Sequence, residues 1–340
     1  MKKSEKTWVT SVDVAKLAGV SRSAVSRTFT PGASVAPETR EKVLKAAKQL
    51  GYQVDILARS TKEGQSNFVG VVIAGFEDPF RVLLLGEITR RLSENALVPL
   101  LINAEDRDKL SELLTILLSY KIAGVIMTSG APPSEVARDY LQRQVPVAMI
   151  NRASDFKSAD VVNSDNATGG ALAARVLLEA GARRLVYVNT KSSTFSGLER
   201  GKAFASYLAG EKRKFRCSLT EWNATATGYV AGREAAEALL SGSDRPDGVF
   251  CATDLMACGF MDVARTKFGL SIPGDIQVVG FDDIPMAGMD GYGLTTIRQD
   301  TGELARMAVE SLLERMHDFD MPGRLRQVPV TLVTRGSTRA

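Results

Sequence analysis

Arginine and serine side chains recur in a short segment near the start of the sequence, VSRSAVSRTF, residues 20–29. An arginine guanidinium can donate two hydrogen bonds to a guanine edge, and a serine hydroxyl can bond bases or phosphates. The apolar residues Ala24, Val25 and Phe29 recur at helical spacing. The opposite face then consists of Arg22, Ser23, Ser26 and Arg27. This pattern favours DNA binding over its alternative, a solvated basic face on a purely structural helix.

Two short helices joined by a tight turn are needed to present that face. Thr10 is predicted to cap the first helix, with Asp13 completing a capping box, and Gly19 to end it in a left-handed conformation. Ser21 is predicted to cap the second helix. A third helix is predicted from Pro37 to Leu50. Together they predict a helix-turn-helix domain whose second helix enters the major groove of DNA.

The charge distribution along the chain supports this interpretation. Residues 1–62 contain twelve Lys and Arg and five Asp and Glu, a net charge of +7. The remaining residues contain thirty-one and thirty-four, a net charge of −3, so the total of +4 is concentrated at the start. A basic head on a slightly acidic body suggests a module that binds a polyanion, joined to a different module.

Cysteine usage and hydropathy bear on where the protein works. The three cysteines, Cys217, Cys251 and Cys258, form no CxxC pair, which argues against a disulfide framework and suits a reducing compartment. The charged start is not followed by a signal-peptide core, and no apolar run has the length of a membrane span. We therefore expect a cytoplasmic protein.

From Phe68 onward, apolar strand-like segments alternate with amphipathic helical ones. The strand candidates are FVGVVIAG, LVPLLINA, AGVIMTSG, VPVAMIN, RLVYVNT, GVFCATD, IQVVGFDD and VPVTLVTR. The helical stretches lie near 81–95, 107–119, 134–143, 166–180, 197–210, 227–241, 254–268 and 301–317. Such alternation predicts parallel sheets with helices on both faces, and the number of units predicts two similar lobes. A ligand would bind between the lobes, beyond the carboxyl ends of the strands.

Residues suited to catalysis or metal binding are scarce. The single histidine, His317, lies late on a predicted amphipathic helix, where a solvated surface position is expected rather than a triad or zinc site. The sequence contains no GxxxxGK[ST] phosphate loop and no dinucleotide-binding glycines after its first strand. Asp282 and Asp283 could hold a metal, but at a strand end they are at least as well suited to accept hydrogen bonds from a polyol. We expect no enzymatic activity, no cofactor and no metal site.

Several segments together resemble the LacI/GalR family of bacterial transcriptional regulators. They are SVDVAKLAGVSRSAVSRTF near the start, DNATGG and CATDLMACGFMDVAR in the middle, and VVGFDDIPMA with LTTIRQ near the end. The resemblance implies an all-α helix-turn-helix headpiece and an α/β two-lobed core like that of periplasmic sugar-binding proteins. It also implies a homodimeric repressor that binds operator DNA and is controlled by a small effector such as a sugar, polyol or sugar acid.

The resemblance divides the chain into a headpiece over 1–53, a hinge helix and linker over 54–66, and an effector-binding and dimerisation core over 67–340. In the hinge, Ala58 and Thr61 match positions that contact DNA. Relatives usually have a leucine at position 61 that wedges into the minor groove. Because this chain has Thr61 there, we expect it to bend its operator less than those relatives do. Only GSTRA follows Arg335, so we expect a dimer without the C-terminal coiled coil that makes some relatives tetramers.

The resemblance also assigns residues to two binding surfaces. For DNA these are Thr10, Ser21, Arg22, Ser23, Ser26 and Arg27, with Arg22 and Ser23 in the variable base-contacting positions. For the effector they are Asp78, Phe80, Asn151, Ser196, Arg200, Trp222, Thr253, Asp254 and Asp282. Asn151 stands where the family commonly has an aspartate, and Thr253 where it has an asparagine.

Alternative roles remain open for these residues and for the whole chain. Trp222 is either a platform for a sugar ring or a core residue. Arg200 either binds hydroxyls or a carboxylate, or holds a lobe together through a salt bridge. Arg152 either favours an anionic effector or is a surface charge. The alternative functions are a periplasmic-type sugar-binding protein, an architectural DNA-binding protein and a sugar-converting enzyme.

Overall fold

The structure is a computed structural model that describes residues 8–30, 32–53, 66–105, 107–128, 134–154, 158–191 and 194–339. The chain divides into two units, Met1–Ser66 and Asn67–Ala340. Residues 54–65, which include Ala58 and Thr61 of the predicted hinge helix, lie outside the described residues.

The first unit contains three helices, α1 (Ser11–Ala18), α2 (Arg22–Thr28) and α3 (Pro37–Leu50). The predicted capping box at the start of α1 is confirmed, since the backbone N–H of Thr10 donates to the Asp13 carboxylate at 2.9 Å and the Thr10 hydroxyl accepts from the Asp13 N–H. Gly19 has a φ of 64°, which ends α1 in the predicted left-handed conformation. One small core joins the helices, formed by Val14, Ala15, Val25, Val43, Ala46 and Ala47.

The second unit is built on two sheets of six strands each within the described residues. The first sheet has the order β11-β5-β4-β3-β1-β2 and is parallel throughout; its strands are β1 (Phe68–Ile73), β2 (Val98–Asn103), β3 (Gly124–Met127), β4 (Val147–Ile150), β5 (Asp160–Ser164) and β11 (Leu325–Val328). The second sheet has the order β12-β10-β9-β8-β6-β7; its strands are β6 (Arg184–Thr190), β7 (Ser218–Ala224), β8 (Gly248–Cys251), β9 (Gln277–Asp282), β10 (Thr295–Gln299) and β12 (Val330–Val333). The pairing of β10 with β12 is antiparallel, and the other pairings of this sheet are parallel.

Helices cover both sheets, and their bounds follow the predicted stretches to within a few residues. The helices of the first lobe are α4 (Pro79–Glu94), α5 (Arg107–Ser119), α6 (Ser134–Gln142) and α11 (Thr301–His317). Those of the second lobe are α7 (Asn166–Glu179), α8 (Phe195–Phe215), α9 (Gly228–Leu240) and α10 (Asp254–Thr266), with a 3₁₀ turn at Pro285–Gly288. Among the described helices, none combines the length and apolar character needed to cross a membrane.

The chain passes between the two lobes at the ends of three strands. These passages follow β5 into α7, β10 into α11, and β11 into β12. Because β5 runs parallel to β4 and β10 runs parallel to β9, their last residues lie at the carboxyl edges of the parallel parts of the sheets, where ligands bind in folds of this kind. Ser164 ends β5 and Gln299 ends β10, so both stand at a passage between lobes.

Candidate functional site

The exposed face of α2 carries the residues predicted to contact DNA. Ser21 caps the helix, since its hydroxyl accepts a hydrogen bond from the Ala24 N–H at 3.2 Å. The Ser21 and Ser23 hydroxyls lie 2.9 Å apart, and Arg27 donates from Nε to the Ser23 carbonyl at 3.4 Å. Val25 points inward and is only 1% exposed. The solvent-facing side chains are those of Ser21, Arg22, Ser23, Ser26 and Arg27.

Arg40 of α3 holds the far end of α2. Its guanidinium donates from Nη1 to the carbonyl of Thr28, the last residue of α2, at 3.1 Å, and from Nη2 to Ala33 at 3.5 Å. A cation at a helix C-terminus both satisfies a free carbonyl and opposes the helix dipole. Arg40 therefore fixes the orientation of α2 within the headpiece, a role that the sequence did not reveal.

In the second unit, Arg200 of α8 is the centre of a buried polar cluster. Its side chain is almost fully buried, and its guanidinium carbon lies 3.5 Å from the centroid of the Phe281 ring. Nε donates to Asn166 Oδ1 at 2.9 Å, and Nη1 donates to the Ala252 carbonyl at 2.6 Å. Nη1 also lies 3.7 Å from Asp282 Oδ1. Burial lowers the pKa of Arg200, and the nearby Asp282 carboxylate acts in the opposite direction.

Two carboxylates from different lobes raise the pKa of Arg200, Asp282 more strongly than Asp78. Asp282, at the end of β9, accepts a hydrogen bond from Gln299 Nε2 at 2.6 Å. Burial raises the pKa of Asp282 well above its usual range, although Arg200 opposes this shift. Asp78 caps α4 in the first lobe, where it accepts from the Phe80 N–H at 3.1 Å and lies 3.3 Å from Arg81 Nε. Burial raises the pKa of Asp78 as well, while the charges of Arg81 and, more weakly, Arg200 lower it.

Asn151 and Ser196 complete this cluster. Asn151 follows β4 in the left-handed conformation, with a φ of 54°, which asparagine tolerates better than most residues. Its Nδ2 donates to Gln299 Oε1 at 3.0 Å, and its Oδ1 accepts from the Ser164 N–H at 2.9 Å. Ser196, in the first turn of α8, directs its hydroxyl at the Asn151 carbonyl at 3.4 Å. The structure thus joins Asn151, Ser196, Arg200 and Asp282 at the strand ends, and Asp78 interacts electrostatically with Arg200.

The side chains of Asp254 and Thr253 form hydrogen bonds within the second lobe. The Asp254 side chain is fully buried at the start of α10, where it accepts from the Ile284 N–H at 2.9 Å and from the Thr296 hydroxyl. Burial raises the pKa of Asp254 to about 7. The Thr253 hydroxyl caps α10 by accepting from the Met256 N–H at 3.3 Å. Both carboxylate oxygens of Asp254 and the hydroxyl of Thr253 therefore have protein partners.

The structure does not bring the two aromatic candidates into the polar cluster. Side chains alternate along β7, and Trp222 points to the same face as Ala224, where it packs on the core between the sheet and the helices α9 and α10. Arg200 lies over Phe281, which belongs to the core on the opposite face of this sheet. The Phe80 ring is buried in the core of the molecule.

Three further residues take part in the site that the sequence analysis did not single out. Gln299 lies between Asn151 and Asp282, Ser164 donates from its hydroxyl to Gln299 Oε1 at 2.5 Å, and Asn166 orients Arg200. Gln299 and Ser164 stand at the carboxyl ends of parallel strands, the same signal that pointed to Asp282. Arg152 is half-buried beside the cluster, with Nη1 3.4 Å from the Thr128 carbonyl, and burial lowers its pKa.

Comparison with known proteins matches both units. Residues 11–55 match the family described as bacterial regulatory proteins, lacI family, and residues 174–338 match a periplasmic binding protein-like domain. The chain is 30% identical to the ribose operon repressor of Escherichia coli (strain K12) over 331 residues, which are 96% of this chain and 98% of that protein. The chain belongs to the LacI family. This LacI-family member is therefore a DNA-binding transcriptional regulator with a helix-turn-helix headpiece and a two-lobed core, as the resemblance predicted.

Solved structures agree with this assignment. The lac repressor dimer bound to operator and the anti-inducer ONPF superposes with a TM-score of 0.86 at 25% identity, covering 98% of this chain and all of that chain. A LacI-family regulator from Enterococcus faecium with bound ribose gives a TM-score of 0.70 at 25% identity, covering 80% of this chain and 98% of that chain. The predicted fold class of this LacI-family chain is confirmed.

Proposed function

We propose that this protein is a homodimeric repressor whose affinity for operator DNA is controlled by a sugar-type effector held in its core. The related lac repressor structure is a dimer on its operator, and the related Enterococcus faecium regulator holds ribose. Its relatives are repressors and not enzymes, so we infer that the effector is bound and released unchanged. The division of the chain into headpiece, hinge and core over 1–53, 54–66 and 67–340, and a cytoplasmic location, are parts of the same proposal.

The observation that carries the proposal is the meeting of polar groups from both lobes around Arg200. Asp78 and Asn151 come from the first lobe, and Ser196, Arg200 and Asp282 from the second. Carboxylates accept hydrogen bonds from hydroxyls, and a guanidinium donates to hydroxyl oxygens in a planar pair. Such a mixed set suits a ligand with several hydroxyl groups. A ligand held by both lobes favours one arrangement of the lobes, which is the requirement for control of a second site.

The DNA surface is proposed on the exposed face of α2. Arg22 and Ser23 occupy the first turn, where a helix-turn-helix protein contacts base edges, and we assign them to sequence recognition. Thr10, Ser21, Ser26 and Arg27 would contact phosphates or support the first two. Ala58 and Thr61 of the hinge are assigned to the minor groove by the resemblance alone.

A thermal-unfolding screen tests the effector assignment. Purified protein is heated with sugars, polyols and sugar acids, the last because Arg152 adjoins the site. A compound present at a hundredfold excess over its Kd should stabilise the folded state by about 2.7 kcal/mol. The same compound should change binding to an operator site selected from random DNA.

Two matched variants locate the binding site. Asp282→Asn should lose the stabilisation by the compound while retaining operator binding, because the headpiece is untouched. Glu199→Gln is the control, since Glu199 precedes Arg200 on the same helix but pairs with Lys202 at the surface. An equal response of both variants would place the ligand elsewhere and contradict the assignment of Asp282.

A further inference from the structure

Four side chains form a continuous hydrogen-bonded chain from the first lobe to the effector site. Ser164 and Asn151, at the ends of first-lobe strands, both donate to Gln299 Oε1, at 2.5 and 3.0 Å respectively. Gln299 Nε2 then donates to Asp282 Oδ1 at 2.6 Å. Gln299 is 4% exposed and Asn151 is 3% exposed, so the bonds are shielded from solvent. Buried hydrogen bonds of this kind are costly to break because the freed groups find no water.

The direction of this chain is fixed by a single backbone group. The Ser164 N–H can only donate, and it donates to Asn151 Oδ1 at 2.9 Å. The amide nitrogen of Asn151 must therefore be the atom that faces Gln299, which places the oxygen of Gln299 toward Asn151. The nitrogen of Gln299 is then the only end left for Asp282. Each amide in the chain has one permitted orientation.

This order determines what Asp282 offers to a ligand. Oδ1 is occupied by Gln299, whereas Arg200 approaches the same oxygen only to 3.7 Å. Among the described residues, none donates a hydrogen bond to Oδ2 of Asp282. With Oδ1 held in place, Oδ2 is presented as an acceptor in a fixed position.

We propose that Gln299 is a positioning residue of the effector site, which aims Oδ2 of Asp282 at a hydroxyl or N–H donor of the effector and takes its own orientation from Asn151. This inference rests on the proposed function for the ligand, but the order of the chain can be tested without one. The oxygen of Gln299 and one of its two N–H groups are already occupied, and the bond to Asp282 is the one by which it acts on the effector site.

The test uses a substitution that reverses the direction of the hydrogen bonds through Gln299. Asn151→Asp replaces the donor toward Gln299 with an acceptor, so the Gln299 amide must turn and present its oxygen to Asp282. Two acceptors then face each other, and we expect the unfolding temperature of the ligand-free protein to fall by roughly 5 °C or more. In an Asp282→Asn background the turned amide meets a new donor. There Asn151→Asp should lower the unfolding temperature much less, and an equal fall in the two backgrounds would overturn the proposal.

A parallel set of variants separates this chain from direct repulsion between two carboxylates. Gln299→Leu keeps the approximate side-chain volume but removes the amide. If the effect of Asn151→Asp on the unfolding temperature depends on residue 282 through Gln299, that dependence should vanish in the Gln299→Leu background. Coupling that persists there would be plain charge repulsion and would overturn the proposal as well.

A ligand arm uses D-ribose, which the similar Enterococcus faecium structure holds. The Asn151→Asp, Asp282→Asn double variant restores an acceptor at the position of Oδ2, because its chain runs in reverse. It should bind D-ribose at least tenfold more tightly than Asp282→Asn alone, and binding no tighter would refute the positioning role. If D-ribose does not stabilise the wild-type protein, D-ribose is not the effector, and the ligand-free variants still decide the role of Gln299.

Discussion

Replacing Arg200 with methionine should destabilise the core strongly and in a pH-dependent manner. The substitution keeps an unbranched apolar stem over Phe281 but removes the charge beside Asp282. It also removes the hydrogen bonds to Asn166 and Ala252. Breaking a buried ion pair by removing one partner costs about 3–5 kcal/mol, because the other charge is left uncompensated. We expect a loss within that range at pH 8.

The loss should be smaller at low pH, because Asp282 can take up a proton. Burial already raises the pKa of Asp282 in the folded protein, and removing Arg200 raises it further. An acid whose folded pKa lies above its unfolded value contributes stability that is fully present below the unfolded pKa. That contribution is lost as the pH rises through the folded pKa. The variant should therefore lie closer to the wild-type protein at pH 5 than at pH 8.

Urea unfolding followed by tryptophan fluorescence measures both values. The chain has two tryptophans, and Trp8 is 85% exposed in the other unit, so a Trp8→Phe background leaves Trp222 as the reporter of the core. Adding Asp282→Asn to the Arg200→Met variant should recover stability at pH 8. The same loss at both pH values, with no recovery in the double variant, would refute the charge argument and assign the effect to packing and hydrogen bonds.

Three other predictions concern the core, the headpiece and the hinge. Because burial raises the pKa of Asp254 to about 7, wild-type stability should fall between roughly pH 4 and pH 7, by at most about 4 kcal/mol, and Asp254→Asn should flatten that part of a stability-pH profile. Arg22→Ala should reduce the binding preference for one base at one operator position by about 1–3 kcal/mol. Lys48→Ala is the control, because Lys48 lies in the last turn of α3, and it should leave the consensus from a binding-site selection unchanged. Thr61→Leu should tighten operator binding and increase the bend angle in a gel-mobility assay, most clearly on sites with a central pyrimidine–purine step; no gain in either would contradict a wedging role for position 61.

Capping residues made the helices predictable from the sequence. Thr10 with Asp13, and Pro37 in the first turn, place the starts of α1 and α3 where the structure has them. The strands β5, β7, β10 and β11 were not predicted because their sequences are polar. β10, for example, reads TTIRQ, yet its threonines are buried because their hydroxyls have partners, one of them Asp254. A buried polar strand resembles a loop until those partners are known.

The site was predictable only in part for the same reason. Arg200 and Asp282 follow from the resemblance, and the structure brings them together. Trp222 was assigned to the ligand by the resemblance, with a core role as the alternative, and the alternation of side chains along β7 decides which face it occupies. Gln299 has only its position at a strand end as a signal, and its importance lies in bonding to Asn151, 148 positions earlier in the sequence, as well as to Asp282. Such a role depends on tertiary pairing, which no local pattern records.

The groups proposed to bind the effector are also those that connect the lobes. Ser196 of the second lobe meets the Asn151 carbonyl of the first at 3.4 Å, which is a long contact between the lobes, and within the second lobe Asp282 lies 3.7 Å from Arg200. The bonds through Gln299 are shorter, at 2.6 and 3.0 Å. A ligand that inserts its hydroxyls at the long contacts gives up little existing interaction, whereas one that displaced Gln299 would leave buried amide groups without partners. We therefore expect effector binding to move Ser196 relative to Asn151 of the first lobe while the bonds of Gln299 persist. Coupling between effector binding and the arrangement of the lobes then needs no separate pathway, because the same atoms bind the effector and hold the lobes together.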